Sequence, residues 1–367
     1  MVIGWRSAVV GRQPDNGRPT RPAGRTTTDN PFTSLTLFTL LTLLTSLPTA
    51  AQDIHFSQFF HAPQALGPGA IGQFDGQYRA NGIFRQQWRS VTVPYRTFGL
   101  GGDARDFLGV QGLGAGAWLF SDRAGDSRMA QMHMSVGASW TQRFGHRAGH
   151  AVTLGAQGGF TSISMDSRAL TTDHQFNGFH HDPALPTGEA YARDGLFHGD
   201  LHAGLVYSYR PAEREMVQAG VGLFNLTNPA IGFLGGPGDP LDTRSVLHVL
   251  VQFPVDEKWD LMPMVQHMAQ GPFRELDLGA NVRHILLDRF GLKRALLLGL
   301  HWRADDAGYV LAGFEHDDWT FGLSYDINTS DLVPASRNRG GIEFAVVRLF
   351  RQRPAVPAMF KACPDQM

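Results

Sequence analysis

The chain contains 367 residues and one cysteine, and its formal net charge is -1. A net charge so close to zero excludes the strong basic field of a nucleic-acid-binding domain, and a single cysteine excludes an internal disulfide framework or a cysteine-rich metal site. Glycine is abundant at 43 residues, whereas charged residues make up only 18%, below the ~25% typical of soluble domains. This composition is unlike that of an average cytosolic enzyme.

The first 51 residues have the features of a secretory signal peptide. An arginine-rich lead over residues 1–30 precedes the apolar run LTLFTLLTLLTSLP, which is too short to cross a bilayer as a helix. Small residues follow up to Ala51, so cleavage after Ala51 would leave Gln52 as the mature N-terminus. A buried core helix is the alternative, and it explains neither the basic flank nor the small residues at the exit.

The rest of the chain alternates between apolar and small or polar residues, which is the pattern of β-strands. In WTFGLSYD, which begins at Trp319, the odd-numbered residues are large and apolar, and the even-numbered residues are small or polar. We find no segment of useful length with a helical period. We predict about fourteen strands, near residues 75–86, 95–102, 110–121, 132–140, 148–160, 201–209, 217–223, 244–253, 259–267, 276–283, 295–303, 308–316, 319–327 and 340–350.

These strands suit a membrane barrel better than a soluble β-sandwich. The outward face of a sandwich is rich in Lys and Glu, whereas the polar face here consists mainly of Gly, Ser, Gln, Asn and His. A sheet of this many strands must close or leave edges, and closure satisfies every backbone group in lipid. We therefore predict an all-β fold, an antiparallel transmembrane β-barrel of about fourteen strands in the outer membrane of a Gram-negative cell. A soluble β protein is the alternative.

The domain organisation follows from these assignments. We predict a signal peptide over residues 1–51, an N-terminal segment leading into the barrel over 52–74, the barrel over 75–350 and a C-terminal tail over 351–367. In such barrels the periplasmic turns are short and the extracellular loops are long. We expect this alternation between short links at 211–214, 304–307 and 317–318 and long links at 161–198, 226–243 and 328–339.

Large aromatic residues near strand ends are expected to form girdles at the two membrane interfaces. The strand at Trp319 is expected to direct Leu323 toward lipid near the membrane midplane and Ser324 toward a polar lumen, where water or a neighbour can solvate it. The girdle residues that we predict are Trp140, Tyr207, Tyr209, Trp259, Trp319 and Tyr325.

Few residue groups could carry chemistry. The segment TTDHQFNGFHHDPALP contains His and Asp side chains that could bind a transition metal, but their spacing fits no regular element and favours a solvated loop. The segment DRAGD, from Asp122 to Asp126, lacks the remaining ligands of an EF-hand calcium loop, so we expect a turn. The residues considered for a transition metal are Asp173, His174, His180, His181 and Asp182.

A second acidic group, Glu315 to Asp318 with His316 and Asp317 between, spans a strand end and a tight turn. Asp is favoured in turns for its own hydrogen bonds, so we do not assign acid–base catalysis to this group. Cys363 is expected to lie in a passive tail. We therefore assign no catalytic, cofactor-binding or metal-binding residue and expect that the protein is not an enzyme.

Several short motifs follow one another in a fixed order along the mature chain. QDIHFSQFFHAP begins at Gln52, FRQQWRSV begins at Phe84, and SYDINTSDL begins at Ser324. Gly340, Gly341 and Glu343 then lead into the last strand, and Cys363-Pro364 lies near the end. Together these motifs resemble the PorP/SprF family of type IX secretion system membrane proteins, found in the Bacteroidetes lineage.

The chain departs from the family pattern at two places. Ile54 replaces the proline that usually follows the Gln-Asp pair, and the chain ends Asp365-Gln366-Met367 where a basic residue and Phe are usual. The resemblance nevertheless extends over the whole mature chain and is concentrated at both of its ends.

The resemblance implies an outer-membrane barrel that works with the type IX secretion apparatus. Members of this family are linked to the secretion of proteins with C-terminal sorting domains and, in gliding bacteria, to adhesin export. The partners implied are other type IX components, secreted substrate proteins and the lipid bilayer, with no nucleic acid and no cofactor. A general outer-membrane channel for small solutes is the alternative function, because fold does not fix function.

The signal-peptide assignment makes a direct prediction about the mature chain. Mass spectrometry of the N-terminal peptide from purified outer membranes is expected to find Gln52 as the first residue, because the small residues before it form the cleavage site. Recovery of peptides from residues 1–40 in the envelope fraction would contradict the assignment.

Overall fold

The structure is a computed structural model that describes residues 54–351 except 90–92, 126–127, 146–148, 171, 190, 235, 290–291 and 331–332. The predicted signal peptide and Cys363 lie outside the described residues, so those two predictions stand as made. Within the described residues, no helix is both long and apolar enough to cross a membrane.

Fourteen antiparallel strands form a closed barrel, in which each strand pairs with its neighbour in sequence and the first strand pairs with the last. This confirms the predicted fold class. Closure gives every strand a partner on each side, which lipid could not supply. The strands are β1 (Tyr78–Gln87), β2 (Tyr95–Ala104), β3 (Leu113–Ala124), β4 (Met129–Phe144), β5 (His150–Ser164), β6 (Gly195–Tyr209), β7 (Met216–Phe224), β8 (Arg244–Pro254), β9 (Trp259–Gln270), β10 (Phe273–Arg289), β11 (Leu292–Arg303), β12 (Ala307–His316), β13 (Trp319–Asn328) and β14 (Arg339–Phe350).

The remaining regular elements are short. A two-stranded hairpin lies in the link between β7 and β8. Its strands are Ala230–Ile231 and Asp239–Pro240; the helices are α1 (Pro63–Leu66) and α2 (Val333–Ser336), and the 3-10 turns are Phe59–His61, Pro68–Ala70, Phe107–Gly109, Ser167–Ala169 and Asp173–Gln175.

The barrel is apolar outside and polar inside. In β13 the outward Leu323 is 48% exposed, whereas the adjacent inward Ser324 is 1% exposed. This alternation runs along the whole strand and confirms the predicted orientation of the Trp319 strand. A strand of this kind is stable only where lipid covers its outer face.

The three long links leave the same end of the barrel, which we call the long-loop end. They are residues 165–194, 225–243 and 329–338. At the other end, which we call the terminal end, β1 begins and β14 finishes. In outer-membrane barrels the long loops face the cell exterior. The prediction that residues 304–307 form a short link on the periplasmic side was wrong, because the β11–β12 connection lies at the long-loop end.

The predicted aromatic side chains lie outward near the strand ends. Trp140, Tyr207, Trp259 and Trp319 lie toward the terminal end, and Tyr325 lies toward the long-loop end. Each of these five side chains is between 37% and 50% exposed. Tyr209 is half-buried at the end of β6. Their positions match those of interfacial girdles.

Residues 54–77, which we call the lumen segment, pass through the interior of the barrel. At the long-loop end, the carbonyl oxygen of Ile54 accepts a hydrogen bond from Arg244 Nη1 at 3.2 Å. At the terminal end, the N–H of Gln77 donates to the carbonyl oxygen of Phe350 at 2.8 Å. The segment therefore runs the length of the lumen before the chain enters β1.

The lumen segment bears on two predictions from the sequence. Residues 52–74 were expected to lead into the barrel, and the described part of this range lies inside the lumen before the chain reaches β1. Ser324 was expected to face a polar lumen in which water or a neighbour could solvate a charge, and the structure supplies a neighbour, because Gln58 Nε2 donates a hydrogen bond to Ser324 Oγ at 3.2 Å. Both residues are at most 1% exposed, so protein rather than water occupies this part of the lumen.

Glycines on the barrel wall allow the backbone of the lumen segment to pass close by. A Cβ atom added to Gly204 on β6 would lie 2.7 Å from the nitrogen of Gly69, and one added to Gly155 on β5 would clash with the Pro68 carbonyl. On β7, an added Cβ at Gly222 would lie 3.0 Å from the Cα of Gly67. Any larger residue at these wall positions would displace the lumen segment.

The orientation of β13 makes a quantitative prediction. Leu323→Arg is expected to destabilise the protein by about 2–4 kcal/mol, because it places a charge at mid-membrane depth. Ile327→Arg introduces the same residue on the same outward face near the long-loop end and is expected to cost only ~0–1 kcal/mol. Refolding into lipid vesicles, scored by heat-modifiable gel mobility across a urea series, measures both. Equal losses would contradict the assigned membrane depth.

Candidate functional site

Four motifs that lie far apart in the sequence meet in one buried cluster near the long-loop end. Glu343 accepts hydrogen bonds from the backbone N–H groups of Ser57 at 2.8 Å and Gln58 at 2.6 Å. Arg85 bridges two carboxylates, with Nη1 3.0 Å from Glu343 Oε2 and Nη2 2.8 Å from Asp326 Oδ2. The sequence motifs FSQF, FRQQW, SYD and the Gly-Gly-Ile-Glu run each contribute to this cluster.

A second arginine completes the cluster. Arg303 donates from Nη2 to Ser57 Oγ at 2.7 Å, and its Nη1 lies 3.4 Å from Asp326 Oδ2. Its guanidinium lies over the ring of Tyr309, 5.5 Å from the centroid. The Tyr309 hydroxyl lies 2.8 Å from the Ser57 carbonyl oxygen and 2.9 Å from both oxygens of Asp277. We call Ser57, Gln58 and these wall residues the ionic cluster.

The ionic cluster is almost completely removed from solvent. The side chains of Arg85, Arg303, Asp326 and Glu343 are each 1–2% exposed. A buried ion pair gains little net stability over apolar packing because desolvation offsets its Coulomb energy, but the loss of one partner leaves an uncompensated buried charge. The cluster therefore fixes the position of the lumen segment more than it adds to overall stability.

Apolar packing holds the middle of the lumen segment. The ring of Phe56 meets that of Trp118 edge to face, with centroids 6.3 Å apart. Phe59 and Leu66 join a buried apolar cluster with Met264 and Met268 of β9 and other wall residues. These contacts remove large apolar side chains from any water in the lumen, which favours the closed arrangement.

The carboxylate of Asp103 anchors the part of the lumen segment that lies nearest the terminal end. Asp103 on β2 accepts a hydrogen bond from the backbone N–H of Gly72 at 2.7 Å and pairs with Arg79 at 2.7 Å. Ser139 Oγ donates to the carbonyl oxygen of Ile71 at 2.8 Å. The lumen segment is therefore held at both ends by polar contacts and in between by apolar contacts.

The structure does not bring the residues considered for a metal into one site. Asn177 Oδ1 accepts hydrogen bonds from the N–H groups of Phe179 and His180 in a tight turn, and Asp182 Oδ1 accepts one from the N–H of Ala184 at 3.0 Å. In the part of the chain that the structure describes, no group of three or more His, Cys, Asp or Glu side chains has metal-binding geometry.

The other acidic groups form local contacts. A turn was expected from Asp122 to Asp126, which was wrong for its first residues, because Asp122 lies in β3, where its Oδ1 accepts a hydrogen bond from Thr97 Oγ1 on β2. Asp126 lies outside the described residues. Glu315 Oε2 lies 3.6 Å from Arg283 Nη1, and Asp318 Oδ1 lies 3.0 Å from Arg351 Nη1. Asp317 has the positive φ of 56° that turns favour.

One arrangement that we did not predict places serine, histidine and aspartate together on the lumen wall. His133 Nε2 lies 3.0 Å from Ser135 Oγ, and His133 Nδ1 lies 3.7 Å from Asp200 Oδ2. Thr161 Oγ1 lies 2.9 Å from His133 Nδ1 and also bonds to Asp200, so it intervenes between them. Ser135 Oγ accepts a further bond from Gln157. The group is a buried hydrogen-bond network that supports the wall.

The sequence contained only part of the signal for the ionic cluster. Arg85, Asp326 and Glu343 lie within the motifs that carry the family resemblance, whereas Arg303 and Tyr309 lie outside them. Each is an ordinary inward-facing residue of its strand. Their convergence follows from strand order, because β11 to β14 and β1 are consecutive around the barrel.

The ionic cluster makes a prediction about stability. Arg85→Met is expected to destabilise the protein by ~3–5 kcal/mol, because it leaves Asp326 and Glu343 without their shared counter-charge. The double variant Arg85→Met with Glu343→Gln is expected to lose less than the sum of the two single changes. Lys293→Met removes an exposed pair with Glu213 and is expected to change stability by about 0–1 kcal/mol.

Denaturant unfolding in lipid vesicles, followed by tryptophan fluorescence, measures these four variants against the wild type. Strict additivity of the Arg85 and Glu343 changes, or a loss at Arg85 no larger than that at Lys293, would contradict the role assigned to the cluster.

Comparison with solved structures finds outer-membrane barrels of low sequence identity. The P. putida toluene transporter TodX is 13% identical, with a TM-score of 0.46 over 79% of this chain and 94% of that chain. The monoaromatic hydrocarbon channel CymD is 10% identical, with a TM-score of 0.47 over 80% and 94% of the two chains. The Ralstonia pickettii toluene transporter TbuX is 11% identical, with a TM-score of 0.44 over 79% and 94%. No curated protein matches the sequence.

A family model provides the sequence relationship. The model described as type IX secretion system membrane protein PorP/SprF matches residues 49–346. The match includes the lumen segment and all strands up to most of β14, which bears out the resemblance seen in the motifs. This chain therefore belongs to the PorP/SprF family of type IX secretion system membrane proteins, and it is a protein of the outer membrane.

Proposed function

We propose that this protein is a non-enzymatic component of the type IX secretion system that supports the export or surface attachment of proteins with C-terminal sorting domains, gliding adhesins included. The observation that carries the proposal is the occupied lumen. A barrel whose interior is filled by its own chain is suited to holding partners on its exposed ends rather than to conducting solutes.

The contacts of the lumen segment support this reading over that of a general channel. To open a path, the segment would have to break the ionic cluster, withdraw Phe59 and Leu66 from their apolar neighbours and release Asp103 from Gly72. Separating buried ion-pair partners alone costs several kcal/mol. A protein that passes small solutes continuously would not be expected to pack its lumen in this way.

The two ends of the barrel offer surfaces for partners. At the long-loop end, Phe179 at the tip of the 165–194 link is 93% exposed. At the terminal end, Leu108 in the β2–β3 link is 82% exposed, with Phe107 and Val110 beside it. A group of adjacent exposed apolar side chains such as Phe107, Leu108 and Val110 is typical of protein contacts. We assign the terminal end to periplasmic components of the system and the long-loop end to exported proteins.

Deletion of the gene tests the proposal. The secreted proteome of the deletion strain is expected to lose proteins with C-terminal sorting domains, while uptake of small hydrophilic and aromatic solutes stays unchanged. Re-expression of the wild-type chain is expected to restore export. Normal export together with reduced solute uptake would overturn the proposal in favour of the channel.

The occupied lumen also makes a prediction about conductance. The wild-type protein in planar lipid bilayers is expected to show no steady ion conductance, because residues 54–77 fill the lumen. A variant that lacks residues 54–71 is expected to conduct, since the barrel strands begin only at Tyr78. As a control, Lys293→Met leaves the lumen unchanged and is expected to remain closed. Steady conductance by the wild type would contradict the closed lumen.

A further inference from the structure

Strand β6 extends farther toward the long-loop end than its neighbour β7 does. β6 pairs with β5 along its whole length, from Gly195 to Tyr209. β7 ends at Phe224, and its pairing with β6 covers only Ala203 to Tyr209. Residues 195–202, which we call the upper part of β6, therefore have a barrel strand on one side only.

The direction of the backbone groups on this upper part is set by three hydrogen bonds. The Asp194 carbonyl accepts from the N–H of Met165 at 2.9 Å, on the β5 side. The Leu201 carbonyl accepts from the N–H of Leu226 at 3.0 Å on the opposite side, and so does the Gly199 carbonyl from Thr227 Oγ1 at 3.0 Å. Backbone groups alternate in direction along a strand, so the odd-numbered residues of β6 face away from β5.

Three odd-numbered residues form an edge without a strand partner. Within the described residues, no hydrogen bond reaches the N–H and C=O groups of Gly195 and Phe197 on this side, or the N–H of Gly199. Both glycines are exposed, and Phe197 is 72% exposed. We call Gly195 to Gly199 the β6 edge.

The link between β7 and β8 contacts β6 at Gly199 and Leu201 and contacts the residues just before β6 at Tyr191 and Ala192, but it makes no hydrogen bond to Gly195 or Phe197. Below, residues 226–227 bond to β6 as described. Above, the N–H of Ala192 donates to the Phe233 carbonyl at 2.9 Å, and Tyr191 forms a bridge with Leu234. Phe233 and Leu234 lie in the turn of the hairpin that the link forms from Ala230–Ile231 and Asp239–Pro240. The edge from Gly195 to Gly199 is as long as a short strand, and the link contacts at its two ends lie in the way of a longer edge such as that of a second barrel.

We infer that the β6 edge receives an extended segment of an exported protein by β-strand addition. The free N–H and C=O groups of Gly195 and Phe197 match those of an added strand. Outside the barrel, Phe197 stacks on Phe160 with ring centroids 5.5 Å apart, a surface suited to apolar side chains. The inward side presents His198 and Asp200, which suit polar side chains. The identity of the donor as an exported protein rests on the proposed function.

Hydrogen exchange on the purified protein in detergent tests whether the edge is open. The amides of Phe197 and Gly199 are expected to exchange about 100-fold faster than those of Leu196 and His198, which bond to β5. Equal protection of the two sets would overturn the assignment of an open edge.

Photo-crosslinking in exporting cells tests the occupant. A photoreactive aromatic amino acid replaces Phe197, and mass spectrometry identifies the crosslinked peptide. The adduct is expected to map to an exported protein. It is expected to disappear with Gly195→Pro and Gly199→Pro, which remove edge N–H groups, and to persist with Gly195→Ala and Gly199→Ala. An added Cβ meets only atoms at 3.7 Å and 3.8 Å at these positions, and heat-modifiable mobility verifies that each variant folds.

The outcomes separate this inference from the proposed function. Adducts formed only with a second copy of the chain, or adducts of equal yield in the proline and alanine variants, would overturn strand addition by an exported protein. An absent adduct in cells whose export depends on the gene would overturn the inference and leave the proposed function standing. Normal export in the deletion strain would overturn the proposed function, whatever the hydrogen exchange of the edge.

Discussion

A chain that crosses lipid as strands must satisfy every backbone N–H and C=O group from within, because the hydrocarbon offers no hydrogen-bond partner. In this protein the pairing of β1 with β14 meets that requirement. Closure then divides each strand into a face for lipid and a face for the lumen. Leu323 and Ser324 illustrate the result, since adjacent residues meet opposite solvents. The arrangement inverts that of a soluble domain, whose polar side chains face outward.

The same closure creates an interior that must be filled or hydrated. Here the lumen segment fills it, and the wall meets the segment with both small residues and charges. Gly155, Gly204 and Gly222 allow close backbone approach on one side of the barrel, while Arg85 and Glu343 fix the segment on the other. The two sides of the barrel contribute differently. Glycines allow the backbone of the segment to approach but do not fix its position, whereas buried ion pairs tolerate only a narrow range of geometry. The segment is therefore both closely packed and held in one register.

The barrel could be predicted from the sequence because its evidence is local. Alternation predicted about fourteen strands, and fourteen form the barrel; it also gave the lipid-facing side of the most regular of them. Prediction was weaker where the alternation lapsed: the upper part of β6 was assigned to a loop, because Gly195 and Gly199 replace apolar outward residues there. The predicted position of the 304–307 link was wrong because length alone does not reveal which end of the barrel a link occupies.

The lumen segment and the ionic cluster could not be predicted in this way. The stretch FSQFFHAP has no strand or helix period, and its partners lie on strands at the other end of the chain. Motif resemblance pointed to Arg85, Asp326 and Glu343 as residues of interest but gave no indication that they meet. Only the strand order, in which β14 returns to β1, brings them within hydrogen-bonding distance. The meeting of these three residues therefore depends on the closed topology of the barrel and not on any local sequence pattern.

The separation between Gln58 and Glu343, 285 residues along the chain, has a consequence for how the molecule is assembled. Contacts between such distant positions form late, because loop-closure entropy opposes them until the intervening chain is ordered. Glu343 belongs to the strand that completes the cylinder, so the final zipping of β14 onto β1 and the capture of Ser57 and Gln58 belong to one step. An intermediate in which the barrel is still open would leave residues 54–77 unattached, and mutations in the ionic cluster would slow the final step of folding as well as weaken the finished protein.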